Sequence, residues 1–147
     1  MTKFFFIIDT NVVVAGLLTA RADSPVARIL DGMLSAAFPF VLSCALLAEY
    51  REVLLRPKLR KYHGLDAPKV DDLLTDMARH AIVLEAHRLT QPQQIQAPDT
   101  GDQFLWDLLG TRADLQLVTG DKLLLEHPSM QWRIVSPLAF AAQFLHG

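Results

Sequence analysis

Short, continuous apolar runs are the feature that most limits what this chain can fold into. An apolar run of about five residues bounded by polar ones is typical of a strand buried on both faces of a parallel sheet. Five such runs of four or five residues occur, and the last of them fits an edge strand: Phe4 to Ile8, Phe38 to Leu42, Ala81 to Leu84, Leu115 to Val118 and Trp132 to Val135. The sequence therefore predicts a mostly parallel sheet of about five strands.

Helical patterns separate these runs. Ser24-Pro25 and Ser136-Pro137 each place a good N-cap residue before a proline at the first helical position. The predicted helices cover about 24–36, 44–55, 68–80, 102–113 and 136–145, with a short helical turn at 122–126. Strands alternating with helices in this way favour a three-layer α/β/α sandwich. We expect residues 1–147 to form a single domain.

Composition excludes several classes of protein. The formal net charge is −2, so no global positive field marks nucleic acid as a partner, and any RNA contact needs a local basic patch. The single cysteine, Cys44, excludes an internal disulfide and a multi-cysteine zinc site. We interpret it as a small buried hydrophobe. No stretch approaches the roughly 20 apolar residues of a membrane span, so we expect a cytoplasmic protein with no membrane partner.

Two acidic residues directly follow predicted strands. Asp9 comes after the first strand, and Asp121 follows the fourth strand in the segment Thr119-Gly120-Asp121. Ligands of open parallel sheets bind outside the carboxyl ends of the strands. If the first and fourth strands are neighbours, these two carboxylates converge.

Two further acids lie on helices that can pack beside that edge. Glu49 borders the apolar stripe of its helix, and Asp102 begins the helix that carries Phe104 and Leu105. Four carboxylates gathered at one place repel one another and need a cation, and hard oxygen ligands suit Mg²⁺ or Mn²⁺. A divalent ion held there can activate water for attack on a phosphodiester.

Each acid also has an ordinary structural interpretation. Asp9 and Asp121 are good N-caps for the segments that follow them. Glu49 alone fits an exposed helical face, and Asp102 alone fits a first-turn acid that favours the helix dipole. A haloacid-dehalogenase-like phosphatase also places Asp after its first strand, but it needs a second Asp two positions later, where this chain has Asn11.

Several segments together resemble the PIN-domain family. They are Asp9-Thr10-Asn11-Val12 after a strand, Glu49 in a helix ending Leu55-Arg56-Pro57-Lys58, Asp102-Gln103-Phe104-Leu105, and Val118-Thr119-Gly120-Asp121-Lys122. The bacterial VapC-like toxins of toxin–antitoxin pairs are the most similar group. The resemblance implies an endoribonuclease that uses Mg²⁺ or Mn²⁺, often dimeric and often inhibited by an antitoxin protein. A PIN-like domain that only binds RNA or a protein is the alternative outside enzymes.

The resemblance also implies roles for particular residues. Asp9, Glu49, Asp102 and Asp121 would form the catalytic and metal-binding quartet, with Asn11 and Thr119 as supporting polar residues. Asp99 competes with Asp102 for the third position, and the distance to Phe104-Leu105 favours Asp102. A basic stretch could contact an RNA backbone or could be a solvated helix end. Its candidate residues are Arg56, Lys58, Arg60 and Lys61.

Overall fold

The computed structural model of the chain describes residues 4–85, 103–126 and 133–145. Strands and helices alternate through these ranges. In chain order they are β1 (Phe5–Ile8), α1 (Thr10–Leu18), α2 (Pro25–Ser35), β2 (Phe40–Leu42), α3 (Cys44–Leu54), α4 (Pro57–His63), α5 (Ala67–Ala78), β3 (Ile82–Val83), α6 (Gln103–Leu109), β4 (Leu115–Val118), α7 (Lys122–Leu125), β5 (Ile134–Val135) and α8 (Pro137–Phe144).

The strands form one parallel sheet in the order β3-β2-β1-β4-β5, which confirms the predicted α/β/α fold. Every residue of β2 and β4 is buried, as expected for strands covered on both faces. β1 lies at the centre and pairs with β4 in a register that places Ile8 opposite Val118. The residues that follow these two strands therefore emerge side by side at one edge of the sheet.

Two helices were missed by the sequence prediction. The segment Thr10–Leu18 forms α1 although it is apolar after Asn11 and contains three consecutive valines, whose branched side chains disfavour helix. Packing explains it, since α1 contacts α2, α3 and α4, and an amphipathic pattern is not needed by a helix covered on several sides. The other missed helix is α4. Pro57 marks the end of the preceding helix in the sequence, but it also occupies the first turn of α4.

The predicted helix starts at the two serine-proline pairs are confirmed. Ser24 Oγ accepts from the Ala27 N–H at 3.3 Å, and Ser136 Oγ accepts from the Ala139 N–H at 3.1 Å. The interpretation of Cys44 as buried was wrong: it is exposed at the start of α3, where its N–H donates to Glu85. Trp132 lies outside the described residues. None of the helices in the described ranges is both long and apolar enough to span a membrane.

Candidate active site

Asp9 lies immediately after the central strand and caps the first helix. Its side chain is almost fully buried, at 7% exposure. One carboxylate oxygen accepts from the Thr10 N–H at 2.7 Å, so the capping interpretation holds for this residue. The other oxygen accepts from the Thr119 hydroxyl at 2.7 Å and from the Asn11 amide at 3.3 Å. A buried carboxylate held by three donors has a fixed orientation.

Asn11 and Thr119 join the loops that follow β1 and β4. The Asn11 amide nitrogen lies 3.3 Å from the Thr119 hydroxyl, and its amide oxygen accepts from the Gly120 N–H at 3.1 Å. Thr119 is completely buried, and its hydroxyl also accepts from the Asp121 N–H at 3.1 Å. These bonds link residues more than a hundred positions apart in the chain, and they fix the loop of Asp121 relative to Asp9.

Asp121 is the N-cap of the short helix α7. One carboxylate oxygen accepts from the Leu123 N–H at 2.9 Å. The second oxygen accepts no hydrogen bond from any described residue. Capping and a role in a site are therefore compatible for Asp121, because a cap occupies only one of its two oxygens.

An open cleft of about 480 Å³ brings these acids together with Glu49 of α3. Its floor is polar and its wall, made by α1 and α3, is largely apolar. The lining residues are Asp9, Thr10, Asn11, Val14, Ala15, Leu18, Glu49, Val53 and Asp121. Glu49 is half-buried, since it lies at the border of the α3 face that packs on the core.

The acids in this cleft influence one another's ionisation. Burial raises the pKa of Asp9 above its ordinary value of 3.8, and the charge of Asp121 raises it further, against the lowering effect of the hydrogen bonds from Thr119 and Thr10. Burial also raises the pKa of Glu49, with smaller increases from the charges of Glu52 and Asp9 and a decrease from Arg56. Negative charge is therefore costly here, and a bound cation would relieve the cost.

Tyr50 is a residue of this site that sequence reasoning missed. Its ring is completely buried and its hydroxyl donates to the carbonyl of Ile8, the residue before Asp9. Burial, and then the charge of Asp9, raise the pKa of Tyr50 well above its usual value, so the hydroxyl remains a donor. Because Tyr50 directly follows Glu49, this bond ties α3 to the end of β1. A tyrosine in an aliphatic stripe was the available signal, since a buried hydroxyl needs a partner.

The third acid of the predicted quartet cannot be placed in the same way. Asp99 and Asp102 both lie outside the described residues. Asp107 follows them on α6. It is half-buried, and its carboxylate accepts from the Gln103 amide at 3.0 Å.

The donor set fits a hard divalent cation only in part. In the ranges that the structure describes, no three acidic, histidine or cysteine side chains are close enough to form a metal-binding group. Mg²⁺, however, is commonly held by one or two carboxylates together with waters and substrate phosphates. Next to Asp9, the buried Thr10 hydroxyl has no hydrogen-bond partner among the described residues. The carboxylates of the cleft are hard oxygen ligands of the kind that Mg²⁺ or Mn²⁺ takes, and to that extent the residues fit such an ion.

The predicted basic residues are exposed at the start of α4 and along it. Arg56 is the N-cap of α4, and Lys58, Arg60 and Lys61 are exposed along that helix. α4 packs against α1 and α3, the helices that begin at Asp9 and carry Glu49. Of these residues, Arg56 is close enough to Glu49 to lower the pKa of that carboxyl, and the other three follow it along α4.

Comparison with known proteins identifies the family of this chain. A family model described as PIN domain matches residues 6–123, which include the central strand, α3 and the Thr119-Gly120-Asp121 loop. No curated protein and no solved structure matches the chain. The match covers most of the chain and contains Asp9, Glu49 and Asp121, so this protein belongs to the PIN domain family.

Proposed function

We propose that this PIN domain is a metal-dependent endoribonuclease that hydrolyses RNA phosphodiester bonds with Mg²⁺ or Mn²⁺. One observation carries the proposal: Asp9 and Asp121 follow neighbouring parallel strands and open, together with Glu49, into one cleft. In open parallel sheets, ligands bind outside the carboxyl ends of the strands, and this is where the two acids lie. Family membership supports nuclease chemistry at that position.

Each residue then has a defined part in the reaction. Asp9 and Asp121 would hold the cation, with Glu49 and the third acid, Asp102 or Asp99, completing the set. When bound, the cation supplies polarisation of a water and neutralises charge on the phosphate. Thr119 and Asn11 keep the Asp9 carboxylate in one orientation through their hydrogen bonds. Glu49, whose pKa is raised by burial, would be the acid of this set that accepts a proton from the attacking water.

The biological setting is proposed from the resemblance to VapC-like toxins. The protein would act in the cytoplasm as a homodimer and be inhibited by a cognate antitoxin protein. Co-expression with any small open reading frame that adjoins its gene, followed by purification, tests for that partner. Light scattering of the purified protein tests the dimer, and a monomeric mass at micromolar concentration would rule it out.

Cleavage of a mixed pool of single-stranded and structured RNA tests the enzymatic proposal. Wild type, Asp9→Asn and Asp72→Asn would be compared in EDTA, Mg²⁺ and Mn²⁺. Asp72 is an exposed acid on α5, so it is a matched control outside the cleft. We expect metal-dependent cleavage by wild type and Asp72→Asn, and loss of cleavage by a folded Asp9→Asn. Separate Asp99→Asn and Asp102→Asn variants identify the third acid.

Absence of cleavage by partner-free wild type under every condition would favour the non-catalytic alternative, a PIN domain that only binds RNA or protein. The phosphatase alternative is disfavoured by Asn11. Its side chain is an amide, which cannot serve as the required acid, and it is already bonded to Asp9, Thr119 and Gly120.

A further inference from the structure

Helix α4 presents cations and an aromatic ring to solvent. Lys58, Arg60 and Lys61 are exposed and form no ion pair with any described residue, and α4 itself contains no acid. Tyr62 is 75% exposed, more than any other large apolar side chain in the described ranges. We call these four residues the α4 surface. Exposed lysines are ordinary, but an uncovered tyrosine among unpaired cations needs an explanation.

The α4 surface adjoins the acidic cleft. Arg56, the N-cap of α4, is close enough to Glu49 to lower the pKa of that carboxyl. From this end the helix extends for seven residues, about 10 Å at 1.5 Å per residue. A strand held in the cleft could therefore continue directly onto α4.

Two cations of α4 line a surface depression that an anionic group can enter. Arg60 and Lys61 line an open depression of about 360 Å³ at the junction of α4 and α5, together with Pro57, Gly64, Leu65 and Asp66. Asp66 is the acid in this depression, and one of its carboxylate oxygens caps α5, accepting from the Lys69 N–H at 3.1 Å. Neither Arg60 nor Lys61 forms an ion pair with it, so both can contact phosphate groups.

We infer that the α4 surface is a binding subsite for single-stranded RNA, with a base stacked on Tyr62 and phosphates held by Lys58, Arg60 and Lys61. The inference rests on the proposed ribonuclease function and extends it to a second part of the molecule. Lys58 and Tyr62 are four positions apart and share one face of the helix, so a phosphate and its base can engage both. Stacking requires an unpaired base, which a duplex does not offer.

Binding of RNA without cleavage tests this subsite. The dissociation constant of a fluorescein-labelled 10-nucleotide RNA without self-complementarity would be measured by anisotropy in EDTA, and compared with the same sequence as a duplex. We expect Tyr62→Ala to weaken single-strand binding about fivefold or more, the lower end for loss of one base–aromatic stack. Tyr62→Phe keeps the ring and should retain binding. The duplex should be insensitive to Tyr62→Ala.

Salt dependence tests the cations. Replacing Lys58, Arg60 and Lys61 by glutamine should reduce the slope of log K against log salt by about 2, since each single-strand phosphate contact contributes about 0.7. Lys69→Gln, an exposed lysine on α5, is the control and should leave the slope unchanged.

Three results would overturn the inference: no binding by wild type at 50 mM salt, wild-type affinity in Tyr62→Ala, or an unchanged salt slope in the triple variant. Loss of self-association in Tyr62→Ala without loss of RNA binding would also refute it and would assign Tyr62 to a contact between copies of the chain. These binding measurements do not depend on cleavage, because they are made in EDTA. RNA binding that depends on Tyr62, in a protein that never cleaves, would support the subsite and refute the ribonuclease.

Discussion

Replacing Tyr50 by phenylalanine isolates one hydrogen bond that connects the fold to the candidate site. The substitution removes only the hydroxyl of a completely buried ring and keeps the ring itself. That hydroxyl donates to the Ile8 carbonyl, directly before Asp9, while Glu49 precedes Tyr50 on α3. The variant therefore loosens the spacing between two of the acids and leaves both carboxylates in place.

The expected loss of stability follows from this single contact. Leaving a buried hydrogen-bonding group without its partner costs about 1–3 kcal/mol. Truncation of the whole ring would cost about 3–5 kcal/mol, but Phe at this position retains the packing. For a chain of this size, 1 kcal/mol lowers Tm by roughly 2–4 °C. Tyr50→Phe should therefore lower Tm by roughly 2–12 °C and remain folded.

The functional effect should exceed what this stability change explains. A displacement of about 1 Å in a catalytic arrangement can cost on the order of 100-fold in rate, so we expect cleavage to fall by about 10- to 100-fold under conditions where the variant is fully folded. Calorimetric titration with Mn²⁺ gives a second readout that does not depend on turnover. It should show weaker binding to Tyr50→Phe than to wild type.

Tyr62→Phe is the control for stability, because its exposed hydroxyl has no described partner and its removal should change the unfolding free energy by less than about 0.5 kcal/mol. If Tyr50→Phe unfolded at the wild-type temperature, the Tyr50 hydroxyl would make no stabilising tertiary contact, contrary to this prediction. A lower Tm with unchanged Mn²⁺ affinity and cleavage would show that Tyr50 supports the core only.

Three other predictions concern the site and its surroundings. The pKa of Asp9 in the folded protein lies above its ordinary value of 3.8. Between these two pKa values the folded protein binds more protons than the unfolded chain, so lower pH favours folding. The stability of wild type relative to Asp9→Asn should therefore decrease as pH rises above about 4. Urea unfolding of both proteins at several pH values would contradict this if the difference stayed constant or increased. Mn²⁺ at about 100 times its Kd should stabilise wild type by about 2.7 kcal/mol, which corresponds to a rise in Tm of roughly 5–10 °C, and equal stabilisation of Asp9→Asn would refute binding at this carboxylate. Gly16→Ala places a Cβ 2.6 Å from the Val26 carbonyl oxygen where α1 crosses α2. Overpacking of about 1–3 kcal/mol should outweigh the gain in helix propensity of about 1 kcal/mol, so a more stable variant in urea unfolding would contradict the close helix contact.

Local sequence determines much of this fold. The apolar runs identify the strands because a strand covered on both faces has no need of polar residues. Asp9 and Asp121 fall at the edge of the sheet because each directly follows such a run. The serine-proline pairs mark helix starts because capping and proline geometry depend only on adjacent residues.

Tertiary structure decides the rest, since it depends on contacts between distant parts of the chain. Pairing of β1 with β4 brings Thr119 to Asp9 across 110 positions. From the sequence, this approach could be predicted only on the condition that the first and fourth strands are neighbours. α1 is helical because other helices surround it and not because of its own valines. The sequence identifies Tyr50 only as a core residue, and the hydrogen bond from its hydroxyl to the Ile8 carbonyl is visible only in the tertiary structure. Each of these features depends on a partner whose position no local pattern encodes.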